Sequence, residues 1–138
     1  VSARAEVYRA AAADIHEHGL SKCGFEDQGQ RCTVGALVVA GGGDLRPVGD
    51  LSRSIDAVLP EVELVALMLG LSARVDADPD DPDFEERLRN ALLCAVYRWN
   101  DGAATAEQVV ALFERAAVRV EAQQLEAGLF GGGLVVVP

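Results

Sequence analysis

"CTVGALVVAGGG", residues 32–43, decides the fold class, because this uncharged run reads two ways. As a short helix it places Cys32, Gly35, Ala36 and Val39 on one face, all small enough for close contact. As a strand it is a buried run ended by Gly41, Gly42 and Gly43. We read it as a helix, in keeping with the helical spacing on both sides of it.

Upstream, the spacing predicts a helix from Ala3 to His18, with Ser2 as N-cap and Gly19 as the stop. At about 100° per residue, Val7, Tyr8, Ala11 and Ile15 share a face. His18 falls beside Val7 and Ala11 on that face, whereas His16 points the other way. A polar loop, 20–31, follows and holds the turn signal "EDQGQ".

Downstream, Pro60 suits a helix start, so 51–58 and 60–70 read as two short helices. "DADPDDPD", 76–83, is an acidic break. Asp76, Asp78 and Asp80 match the first ligand positions of a calcium loop, but Asp81 stands where glycine is needed and Arg87 where glutamate is. We read it as a solvated loop, with Asp83 capping a helix over 84–99. That helix has one apolar face of Phe84, Leu88, Ala91, Leu92, Ala95 and Trp99, with Leu93 and Tyr97 nearly opposite. It is either central to the fold or the surface of a homodimer. Thr105 and Gln108 form a capping box for a last helix over 105–127, whose stripe is Val109, Val110, Phe113, Ala116, Ala117 and Val120. The short link between these two helices predicts that they pack antiparallel, as a hairpin against the first. Gly128 ends the last helix, and 126–138 is an apolar tail that either docks as a strand or frays.

Composition bounds the function. The chain has 138 residues, half of them hydrophobic and a quarter charged, which describes a single globular domain. With only 5% aromatics, its core is built from Ala, Val and Leu. The net charge of −10 disfavours nucleic acid, whose phosphates demand clustered Lys and Arg, and disfavours anionic membranes. The longest apolar run, "VELVALMLGL", contains a glutamate and is too short to span a bilayer. Cys23, Cys32 and Cys94 cannot all pair within one chain, and no signal-peptide pattern is visible; both point to reduced thiols in a cytoplasmic protein.

"HG" at 18–19, "RCTVGAL" at 31–37 and "WND…TAEQVVALFERAA" from Trp99 to Ala117 occur in this order. The chain thereby resembles an actinobacterial family of small proteins of unknown function with His-Gly, Cys-x-x-Gly-Ala-Leu and Trp-Asn-Asp motifs. The resemblance covers most of residues 5–117. Two departures stand out: Leu20 follows His-Gly where an aromatic is common, and "GAA" replaces a Pro-Gly-Arg-like turn after Asp101. The resemblance implies an all-helical fold and points to His18, Cys32, Trp99, Asn100 and Asp101. It implies no activity.

Three chemistries compete for "HEHGLSKCGFEDQGQRCTVGAL", residues 16–37. A thiol nucleophile would use Cys32 at a helix start, where backbone N–H groups and Arg31 favour the thiolate. His18 would be its base, oriented by Asp101 or Asn100. Zinc would draw on His18, Cys23 and Cys32, with His16 or Asp27 as a strained fourth, but no C-x-x-C or H-x-x-x-H pair supports it. The plain reading is that Cys32 packs at a helix junction with His18 satisfied at a helix end. "GGGD", 41–44, lacks the Lys-Ser/Thr of a phosphate loop and reads as a turn. Trp99, Asn100, Arg31 and Gly35 would rim a pocket shared with Cys32.

The expectation is therefore an all-α, single-domain bundle of five or six helices over 1–138, with a short strand or extended tail at its C-terminus. Its function would be that of a cytoplasmic accessory protein binding a small molecule or a protein, with no metal or cofactor. A homodimer through 84–99 is the partner the sequence suggests. The alternative is a small cysteine-dependent hydrolase or transferase using Cys32, His18 and Asp101.

Overall fold

The first helix starts the chain's core because its small residues recur at helical spacing. In the computed structural model, which describes residues 3–45, 51–71 and 78–130, helix α1 spans Ala3–His18. Ser2, Asp76 and the tail beyond Phe130 lie outside the described residues. Ala5, Tyr8, Ala11, Ala12 and Ile15 form the buried face of α1. Gly19 ends it, donating its N–H to Ile15 O at 2.8 Å with φ +92°, a left-handed turn that glycine makes without strain.

The polar loop then folds back as a minimal hairpin, β1 (Glu26–Asp27) and β2 (Gln30–Arg31), in antiparallel register. Gln28 and Gly29, the two turn residues, both have positive φ (50° and 84°), the requirement of a tight two-residue hairpin.

The deciding run is a helix, α2 (Thr33–Ala40). It is buried on every side rather than on one: each residue from Thr33 to Val38 lies in the interior. The reason is position. Helices α1, α3 (Leu51–Ala57), α4 (Leu59–Met68) and α5 (Phe84–Asp101) all pack against α2, so a wholly apolar sequence is what this centre requires. Pro60 sits in the first turn of α4, as its missing N–H allows.

Helix α6 (Ala106–Phe130) begins at the expected capping box: Thr105 N–H donates to Gln108 Oε1 at 3.0 Å, and Gln108 N–H to Thr105 Oγ1 at 3.2 Å. It runs through Gly128, which sequence spacing took as its end; a lone glycine costs a helix only about 1 kcal/mol. Its buried stripe is Val109, Leu112, Phe113, Ala116, Ala117 and Val120. The expected α5–α6 hairpin does not form. α6 packs on α1 and α4, and α5 on α2 and α4. A short link permits an antiparallel pair but does not enforce one, and the alanine-bearing faces of α1 and α6 meet instead. The two meet through Tyr8 and Phe113, with ring centroids 6.3 Å apart, and through Arg9 bonded to Glu121.

Helix α5 also turns the other way from expectation. Leu93, Val96 and Asn100 face the core, while Leu88 is exposed and Phe84, Leu92 and Trp99 are half-buried. The buried side is thus mostly the one expected to be secondary, although Ala95 of the expected face is buried too and Leu88 and Leu92 border the cleft toward α4. Asp83 makes no side-chain capping bond to α5. No helix among the described residues is long and apolar enough to cross a membrane.

Candidate functional site

The junction between the loop after α1, the start of α2 and the end of α5 gathers most of the residues singled out from sequence. Asn100 is its centre. At 1% exposure it must satisfy its whole amide internally, and it does. Its Oδ1 accepts from Thr33 N at 2.8 Å and from Thr33 Oγ1 at 2.6 Å. Its Nδ2 donates to Ser21 O at 2.9 Å and to Asp101 Oδ1 at 3.0 Å. One side chain thereby joins three segments, a role that leaves none of its polar atoms for a ligand.

Lys22, the chain's only lysine, works at the same corner. Its Nζ donates to Asn100 O, Gly102 O and Ala104 O at 2.5, 3.1 and 2.6 Å. An ammonium on these carbonyls satisfies acceptors that the end of α5 leaves open and complements the negative end of its dipole. Asp101 completes the corner, its Oδ1 accepting Cys23 N–H at 2.7 Å. That bond holds Cys23 in its left-handed conformation (φ 60°).

Cys32 is the N-cap of α2, its Sγ accepting Gly35 N–H at 3.2 Å, and its own N–H closes the loop on Phe25 O at 3.0 Å. It is 4% exposed. Burial pushes the thiol above its ordinary pKa, and the backbone amides of Gly35 and Val34 pull it back only in part. A helix start favours a thiolate in water; here desolvation outweighs it. Gly35 is required by the same closeness, since a Cβ there would stand 2.5 Å from Phe25 O.

A pocket of about 330 Å³ opens beside this junction, bordered by Cys23, Gly24, Phe25, Cys32, Tyr97 and Asp101. Phe25 and Tyr97 meet edge to face with centroids 5.6 Å apart. The Tyr97 hydroxyl is pushed up to about 12, chiefly by burial, so it stays neutral.

Cys32 and Asp101 both border this pocket, and His18 does not join them. His18 is exposed, with Nδ1 3.0 Å from Asp14 Oδ1, and it does not border the pocket. A helical wheel gives direction but not depth: at the end of α1 the His18 side chain is left 47% exposed. Arg31 is likewise engaged away from the thiol, donating to Asp14 Oδ2 at 2.7 Å and Glu26 Oε2 at 3.0 Å. Trp99 is half-buried against the core, and neither it nor Asn100, Arg31 or Gly35 lines the pocket. Among the described residues no group of three or more His, Cys, Asp or Glu is placed to hold a metal ion.

Sequence reasoning missed Phe25, Tyr97 and Lys22 as parts of this corner. One signal was available: Tyr97 and Asp101 stand four apart on a helix and so share a face. Phe25, an aromatic alone in a polar loop, was another.

Fold and site together define a small all-α domain with an aromatic-walled, thiol-lined pocket at a polar helix junction. The model of a family of unknown function (DUF6197) matches residues 2–119, and the chain belongs to that family. No curated protein and no solved structure matches it.

Proposed function

We propose that this chain is a small-molecule-binding accessory protein whose site is the Phe25–Tyr97 pocket, and that Cys32 does no catalysis in it. The observation that carries the reading is the pocket itself. Its volume of about 330 Å³ falls in the range of small-ligand sites, and a dry cavity of about 150 Å³ already admits benzene. Apolar walls with a few polar groups, here Asp101 and the two thiols, are the usual make-up of such a site. A cysteine hydrolase is the poorer fit, because its base would be His18, engaged by Asp14 outside the pocket, and its nucleophile a buried thiol held protonated.

The three unpaired cysteines suit a reducing cytoplasm, and the Ala-, Val- and Arg-rich composition suits an actinobacterial, GC-rich source. A homodimer through α5 would use exposed Leu88 with its half-buried neighbours Phe84 and Leu92.

The test is an NMR titration with 2-phenylethanol. Amide shifts concentrated at Gly24, Phe25, Tyr97 and Asp101, and removed by Tyr97→Ser, are expected. Shifts scattered over the surface, or centred on the α4–α5 cleft, would end the proposal.

A further inference from the structure

The pocket carries more information than its volume, because its polar groups are unequal. Resting on the binding reading above, we infer that its ligand is an organic cation: a protonated amine on a compact aromatic or aliphatic body.

An anionic ligand needs free N–H groups or a cation, and the N–H groups at the start of α2 and at Cys23 are committed. Thr33 N–H goes to Asn100, Gly35 N–H to Cys32 Sγ, and Cys23 N–H to Asp101. The Lys22 ammonium is engaged by three backbone carbonyls and does not border the pocket. The start of α2, which in isolation would attract an anion, is thus spent on its own N-cap and on Asn100.

What borders the pocket favours positive charge. Among the described residues Asp101 is the one carboxylate that borders it, and it is exposed. Its Oδ1 is held by Cys23 and Asn100, and among the described residues Oδ2 makes no hydrogen bond. That oxygen is fixed in place by the bonds of its twin and faces no neighbouring cation among the bordering residues. The rings of Phe25 and Tyr97 attract a cation through their π faces and repel an anion. The net charge of −10 adds a long-range field of the same sign.

The experiment uses three probes of one shape on the whole chain: 2-phenylethylamine (cationic at pH 7), 2-phenylethanol (neutral) and 3-phenylpropanoate (anionic). Affinity is read from the pocket amides of Gly24, Phe25 and Tyr97, so cations condensing on the acidic surface elsewhere do not count. The amine is expected to bind about tenfold tighter than the alcohol, the carboxylate more weakly than either, and salt to narrow the spread. Asp101→Asn keeps an oxygen for Cys23 N–H and Asn100 while removing the charge, and should bring amine and alcohol level. Equal binding of all three probes, or an amine preference that survives Asp101→Asn, overturns the cation and leaves the pocket standing. If no probe moves the pocket amides, both proposals fall.

Discussion

Two interfaces hold this molecule together by different means. Between α1 and α6 the contact is apolar and built from alanines, valines and two rings, with its ion pair, Arg9–Glu121, at the exposed rim. Between α2, α5 and the 19–32 loop the contact is a set of directed bonds through Asn100, Lys22, Asp101 and Cys32. Apolar packing is non-directional and tolerates swaps that conserve volume. A buried polar junction tolerates none, since each lost partner leaves another group unsatisfied in a low dielectric. The directed junction is also the one beside the pocket, and its bonds fix the backbone that a ligand would meet.

Mutations can break this contrast. The largest loss expected is at Phe113, fully buried at the α1–α6 contact: Phe113→Ala should cost about 3–5 kcal/mol in urea unfolding, whereas Phe113→Leu should cost only about 1 kcal/mol. Asn100→Leu, which keeps the branched heavy-atom skeleton but none of the polar atoms, should lose about 2–4 kcal/mol, because Thr33 N–H and Ser21 O are left buried and bare. A near-neutral Asn100→Leu would erase the distinction between the two interfaces.

Thiol reactivity sharpens it. Cys23 and Cys94 are exposed and Cys32 is buried, so iodoacetamide at pH 8 should modify Cys32 on the order of a hundredfold more slowly, through local opening. Comparable rates by mass spectrometry would return Cys32 to the list of nucleophiles. The sign of its pH linkage follows from the same burial. A thiol whose folded pKa is raised holds its proton more firmly when folded, so its stabilising share is full below the unfolded value of about 8.5 and is lost as pH climbs through the folded one. Urea midpoints should therefore fall on the alkaline side, and fall less in Cys32→Ala.

Gly35→Ala should cost about 1–3 kcal/mol, since the new Cβ meets backbone oxygen, which cannot step aside as a side chain can. An unchanged melting temperature would show that the loop at Phe25 yields. Thr105→Ala, at the exposed cap of α6, should be mildest, at about 0.5–2 kcal/mol, and should be partly matched by Gln108→Ala, its partner in the box.

How far the sequence reached differs between these interfaces in the same way. The bounds of α1, the Gln28–Gly29 turn, Pro60 at the start of α4 and the Thr105–Gln108 box were legible because each depends on residues within about four positions of one another. The partner of α6 was not legible, since Ala-Val stripes on α1, α5 and α6 are alike and only three-dimensional fit chooses among them. Nor was the fate of His18, which its helical direction sets beside Val7 and Ala11 but which lies exposed at the end of α1.

The sequence by itself determined an acidic, all-α chain with helices near their observed bounds. Those are consequences of local spacing, capping and turn chemistry, which operate within a helical turn or two. Tertiary structure alone decided that α2 is buried on every side, that α5 shows its Leu93–Asn100 face to the core, and that Lys22 and Asn100 tie segments about 80 residues apart. It also decided the chemistry of Cys32. The start of a helix would have lowered its pKa, and the depth at which the fold sets that start raises it instead.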